Sequence, residues 1–360
     1  MTEPLFILSA RSQLINAMSC NTADLTRQAH ALESSGAYRA LARFSPKLSW
    51  GDPTCEPADE PVRLMALSVD GFESDGRHCV CRLAYVVADF EPKTGLVWRV
   101  SSRYESLHDP RRPVPDGWFD AVGLHPGSLR GQLIDRARVE RDLAQVSLVV
   151  SHSAAFDRAA MESTLGGGFR HKHWACSSDL HWGHGQSSDL ELLLMRRAGM
   201  FLGAHASPLA RADALLHLLA MPGDSTQVGP MLLQVLVAAK QRSYRVWVDD
   251  SVFQRHAHAL VAHGFAPQRR ELESGSRASP VGWAKDVGID LESTLAWLDG
   301  LGIHAGLVVD VLTGKERFTS RYRTQGVPVF ESAKSQASPT PAGFVTSHQR
   351  AQPPGLRHQH

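Results

Sequence analysis

Between residues 63 and 107 the chain passes through three stretches rich in β-branched and apolar residues, 63–69, 79–90 and 95–107, parted by Gly and Asp clusters at 74–77 and 91–95. Short apolar runs bounded by turn residues predict strands, and the short connections predict a meander. Pro110, Pro113 and Pro115 interrupt this pattern. Residues 130–145 then have helical spacing, and Val146 to Val150 is a continuous apolar run suited to a buried strand. Beyond it, 155–165, 187–200 and 208–221 have helical spacing, and Ser207-Pro208 supplies an N-cap followed by proline at the first helical position. Three strands, a helix, another strand and then helices predict an α/β sheet domain.

A second group of elements follows: a helix over 228–242, a strand over 243–248, a helix over 251–264 ended by Gly264, a helix over 282–301 and a strand over 303–311. Ahead of the first strand, 22–41 is polar and helix-compatible, and 51–61 is a Pro, Gly and acid-rich linker. From 324 the chain turns to Ser, Pro, Gln, Ala and Gly, too dilute in large apolar residues to offset chain entropy, and predicts a disordered tail. The expected division is 1–60, 61–225, 226–323 and 324–360, with no internal repeat.

At 360 residues and 43% hydrophobic composition the chain can bury a sizeable core. Its 38 Lys and Arg nearly balance 37 Asp and Glu, so no overall basic field draws in a polyanion. Charge alone does not predict nucleic-acid binding. Cys20, Cys55, Cys79, Cys81 and Cys176 form an odd set without a CxxC pair, which fits a reducing compartment, and no apolar run reaches membrane-spanning length. The expectation is a cytoplasmic protein with no export signal and no membrane contact.

The strongest local chemistry is carboxylates at strand ends. Asp70 closes the first strand with Glu73 just after it, Asp157 follows the buried strand, and His205 and Asp213 flank the start of a later helix. Four converging carboxylates can hold two hard divalent ions, which activate a water and stabilise the leaving oxygen in phosphoryl transfer. A histidine on a mobile segment suits removal of the proton from that water. Taken singly, each Asp is as well explained as a turn or cap residue.

As an ordered set they resemble the DEDDh-type 3'-5' exonucleases, the superfamily of the bacterial replicative proofreading subunit. Val149-Val150-Ser151-His152-Ser153-Ala154-Ala155-Phe156-Asp157 is similar to the family's second motif, an apolar run followed by His-Asn-Ala-x-Phe-Asp. Trp174-Ala175-Cys176-Ser177 with Asp179 and Trp182, then Gly203 and His205, then Ala212-Asp213-Ala214-Leu215-Leu216, fall in family order. Tyr38-Arg39-Ala40-Leu41 and residues 314–321 extend the resemblance to about 36–323. It implies a ribonuclease H-like mixed sheet flanked by helices, with a smaller C-terminal α/β unit. It also implies a hydrolase that releases nucleoside monophosphates from single-stranded DNA or RNA 3' ends, with Asp70, Glu73, Asp157 and Asp213 holding two Mg²⁺ or Mn²⁺ ions and His205 as general base.

The departures are specific. The first motif reads Asp70-Gly71-Phe72-Glu73, one residue longer than Asp-x-Glu, so the two carboxylates diverge unless a bulge, which Gly71 permits, brings them together. Ser153 stands at the second motif's Asn, and His205 and Asp213 are eight apart instead of five. These motivate the alternative of an exonuclease-like protein that binds nucleic acid or a protein partner without cutting it. Cys79 and Cys81 are expected in the core, and the group His171, His173, Cys176, His181 and His184 in an irregular loop rather than around zinc. Arg103, Arg111 and Arg112 are expected to be solvated, with phosphate contact as the functional option.

Overall fold

The computed structural model describes residues 22–50, 62–74, 77–182, 189–223, 229–269, 281–288, 290–304, 306–319 and 327–328. Five strands, β1 (Val62–Ser74), β2 (Arg77–Phe90), β3 (Val97–Leu107), β4 (Leu148–Ser151) and β5 (His173–Cys176), form one sheet in the order β3-β2-β1-β4-β5. The meander is antiparallel, and β4 and β5 run parallel to β1. This mixed sheet with helices on both faces is compatible with a ribonuclease H-like α/β fold.

The central strands are apolar on both faces because both are covered. Leu64 and Ala66 of β1 pack with Val86 and Ala88 under helices α3 (Pro208–Ala220) and α4 (Met231–Lys240). Met65, Leu67 and Val69 pack with Leu83, Tyr85 and Val87 under α1 (Arg136–Ala144) and α2 (Ala154–Thr164). Ser207 caps α3 as expected, its hydroxyl accepting from the Ala210 N–H.

Beyond α4, a second sheet comprises β6 (Ser243–Val248), β7 (Ala266–Arg269), β8 (Val281–Val287), β9 (Leu307–Leu312) and β10 (Val327–Pro328), antiparallel in the order β10-β9-β6-β8-β7. Helices α5 (Asp250–Ala262) and α6 (Leu291–Gly300) share an apolar cluster with it. Among the described residues no helix is long and apolar enough to cross a membrane.

Several expectations need correction. Residues 282–301 are not one helix: Val281–Val287 is a strand, because its backbone groups pair with Tyr244 to Val248 across the sheet, and Asp290 caps a separate α6. The helix expected over 187–200 shortens to Leu190–Leu193 and a π-turn at Leu194–Ala198. His173–Cys176 is a strand and not an irregular loop, with Trp174 and Ala175 buried on opposite faces. The linker expected over 51–61 lies outside the described residues, and the chain before it packs on the sheet domain. Ala42–Arg43 pairs with Met200–Phe201, and Trp50 N–H donates to the Trp98 carbonyl at 2.8 Å. Of the segment expected to be disordered, 324–360, Val327–Pro328 pairs with Val308 and Val309, and 324–326 and 329–360 lie outside the described residues.

A bulge falls at this point, but on the partner strand and not in β1 as expected. Asp70 pairs with Arg82 but Gly71 pairs with Val80, so Cys81 is the extra residue on the partner strand. Cys79 and Cys81 are buried as expected. A Cβ on Gly71 would lie 2.0 Å from the Cys79 carbonyl oxygen, a backbone atom that cannot swing aside. Gly71→Ala is expected to destabilise the protein by about 3 kcal/mol, the upper end of overpacking costs, or more. Gly167→Ala, which meets nothing within 4 Å, is the control, and urea denaturation midpoints check the pair.

Candidate functional site

A pocket of about 790 Å³ opens at the C-terminal ends of β1 and β4, lined among others by Asp70, His152, Phe156, Asp157, Arg211 and Phe318. Asp70 shares a face of β1 with Ser68, under α3. Arg82, its cross-strand partner, donates from Nε to Asp70 Oδ2 at 2.6 Å and is itself buried. Arg211 comes down from α3, pairs with the other Asp70 oxygen, and donates from Nε to Ser68 Oγ at 3.2 Å and from Nη1 to the Ala206 carbonyl at 2.8 Å. One carboxylate thus has two guanidinium partners.

Asp157 sits in the first turn of α2 and is buried. Burial pushes its carboxyl up to about 7, and the charge of Asp70 adds to the rise, while the Ser151 hydroxyl, the Arg211 charge and the Val69 N–H oppose it. Ser151 Oγ donates to Asp157 Oδ2 and in turn accepts from the Ser153 N–H at 3.1 Å. His152 Nδ1 shares a 2.7 Å hydrogen bond with Ser177 Oγ. Cys176 also lines the pocket, and burial raises its thiol above the ordinary range, away from thiolate chemistry.

The other expected site residues lie elsewhere. Glu73 is exposed on β1, opposite His78, because the register shift falls before it and does not turn it inward. Asp213 is buried and ion-paired with Arg103 of β3, which also answers the question of what Arg103 touches. Arg211 and Leu215, four apart, share the pocket face of α3, and Asp213, two residues on, is roughly 200° round the helix from Arg211. His205 is exposed in the left-handed region at φ 57°, its Nδ1 3.2 Å from the Ala121 carbonyl. The four carboxylates do not converge, and among the described residues no three His, Cys, Asp or Glu side chains gather to hold a metal. The histidines beside β5 follow suit: His171, His173 and His181 are exposed, and His184 lies outside the described residues.

This donor set does not fit two hard divalent ions. Only Asp70 and Asp157 of the four reach the pocket, where Asp179 and Asp189 also stand, and Asp70 is matched to two guanidinium groups. Arg82, Arg211 and Ser151 escaped the sequence reading. The one available signal was Arg211 itself, a cation one half-turn from Asp213 on a helix already predicted.

No family model matches the chain, and no curated protein matches it. Among solved structures it is similar to a 3'-exonuclease described in "3'-end specific recognition of histone mRNA stem-loop by 3'-exonuclease", with 8% identity and a TM-score of 0.33 over 44% of this chain and 80% of that one. A second, "crystal structure of full-length 3'-exonuclease", is similar to the same extent, at 8% identity and a TM-score of 0.33 over 44% and 80% of the two chains.

The raised Asp157 pKa has a pH consequence. Between its ordinary value of 3.8 and about 7 the folded state holds a proton that the unfolded state has released. The contribution to stability is therefore present at low pH and lost as pH rises through that window. Asp157→Asn is expected to flatten the fall of Tm between about pH 4 and 7, leaving the smaller slopes of Asp179 and Asp213, whose carboxyls burial also raises. Thermal melts across that range check it, and an unchanged slope would mean that Asp157 is ionised throughout.

Proposed function

We propose that the chain is an exonuclease-like protein that binds single-stranded nucleic-acid 3' ends without a two-metal cleavage centre, its exonuclease-like unit spanning 61–225 and its accessory unit 226–323. The observation that carries this reading is Arg211: its guanidinium takes one oxygen of Asp70 and sets its charge beside Asp157. A fixed cation occupies the electrostatic role that a divalent ion fills where carboxylates converge. The pocket also offers what sequence-tolerant binding of a single strand uses, a guanidinium for the backbone and the rings of Phe156 and Phe318 for bases. With a net charge of +1 the chain has no long-range field, so attraction rests on this local group.

The second reading is the metal-dependent 3'-5' exonuclease using Mg²⁺ or Mn²⁺. It is favoured by one observation, that Asp70 and Asp157 share the pocket. The two readings differ in what titration and incubation give. Labelled ten-nucleotide DNA and RNA are expected to bind with no divalent ion present, to remain uncut with millimolar Mg²⁺ or Mn²⁺, and to bind about tenfold more weakly to Arg211→Ala, the loss of one charged hydrogen bond. Saturable Mn²⁺ binding by calorimetry together with cleavage abolished by Asp157→Ala would replace this reading with the metal enzyme.

A further inference from the structure

Among the described residues lining the pocket, Phe318 alone comes from beyond residue 226. It also stands at φ 63°, in the left-handed region that a bulky side chain rarely adopts, and such strain persists only where the surroundings fix it. The fixing contacts are on both sides of the segment 313–319. From α2, the buried Arg158 donates to the carbonyls of Arg317 at 2.5 Å and Lys315 at 2.6 Å, and Glu162 accepts from Thr319 Oγ1 at 2.6 Å. From β5, the Trp174 N–H donates to the Gly314 carbonyl at 2.7 Å. On the other side, Arg317 donates to Ser243 Oγ and the Ala238 carbonyl, each at 2.8 Å. The backbone is pinned before and after residue 318, so the ring is delivered to the pocket wall by a strap that leaves it little freedom.

A strained aromatic held this firmly has two explanations: a core plug, or a platform. As a plug it is poorly suited, since the ring is only half-buried and packs at the margin of the apolar cluster beneath α2. Four carboxylates line the pocket, Asp70, Asp157, Asp179 and Asp189, and of these Asp70 is paired with two guanidinium groups. A half-buried ring in a pocket lined by four carboxylates suits a flat, uncharged group such as a nucleobase better than a free anion. We infer that Phe318 is the stacking platform for the terminal base of a single strand, supplied to the pocket by the C-terminal unit and positioned by Arg158. This rests on the binding of nucleic-acid 3' ends proposed above and assigns the site of its last base.

Two substitutions separate stacking from folding. Phe318→Gly deletes the ring at a backbone position that glycine prefers, and Phe318→Leu keeps an apolar side chain there without a flat π face. The probes are ten-nucleotide single-stranded DNA and RNA, each with an intact 3' terminus, with an abasic 3'-terminal sugar, or with an abasic 5' terminus, followed by fluorescence anisotropy. The intact and the 5'-abasic strands are expected to bind wild type alike, and the 3'-abasic strand about tenfold more weakly, the scale of one lost stacking contact. Both variants should bind all strands at that weaker level, with thermal melts confirming that they fold. Phe318→Tyr should restore the preference. If wild type binds the strands but the variants keep its preference for an intact 3' base, the stacking assignment is wrong and the binding proposal stands. If wild type binds none of them, both fall together.

Discussion

The Asp70 side chain is largely buried on the central strand, where an unpaired carboxylate is expensive, and the means of neutralising it decides what the pocket can be. The chain answers with two guanidinium groups, Arg82 from the neighbouring strand and Arg211 from α3. Both are part of the folded frame, so the compensation is present before any ligand arrives. The cost is that little positive charge is left for Asp157. With its nearest cation engaged by Asp70 and its own environment dry, Asp157 is more stable protonated than charged up to near-neutral pH.

A second buried guanidinium does comparable work for the joining of the two sheets. Arg158 and Glu162 are ion-paired one turn apart on α2 with almost no water access, and each has a further partner in the segment 313–319. Breaking such a pair by removing one partner strands the other charge and typically costs about 3–5 kcal/mol. The same pair that satisfies α2 therefore fixes the strap, and through Phe318 it ties one wall of the pocket to the chain beyond residue 226. Folding of the second unit and the shape of the pocket are not independent.

The meander strands were legible in the sequence because they are long, apolar and bounded by Gly, Asp and Pro, and the cap at Ser207 followed from single residues, whereas β5 was read as a loop and the bulge lies on β2 rather than β1. The strand at Val281–Val287 was not, since its alternation is weak and its conformation is set by pairing with a strand more than thirty residues earlier. Asp70 and Asp157 were singled out because motif order sets Asp70 on β1 and Asp157 at the start of the helix after β4, and β1 and β4 lie side by side in a parallel pair. Arg82, Arg211 and Phe318 were not, because what makes them matter is which way a side chain points. In the case of Phe318 it is also a contact between Arg158 and a carbonyl 159 positions along the chain.

Helix phase explains why the last carboxylate misses the pocket. The Ser207 cap and Pro208 set where α3 begins, and from that start positions 211 and 215 face Asp70 while 213 faces β3. A carboxylate at 213 is then buried beside the sheet with no ion to meet it, and Arg103 supplies the charge it needs. An arginine at 211 on the pocket face meets Asp70 in the same way. The two ion pairs are a single arrangement: each acid is met by a base from across the sheet–helix interface, Asp70 of β1 by Arg211 of α3 and Asp213 of α3 by Arg103 of β3. Moving either acid toward the other would strand a base, so the separation of the carboxylates is held by the same charges that stabilise the packing of α3.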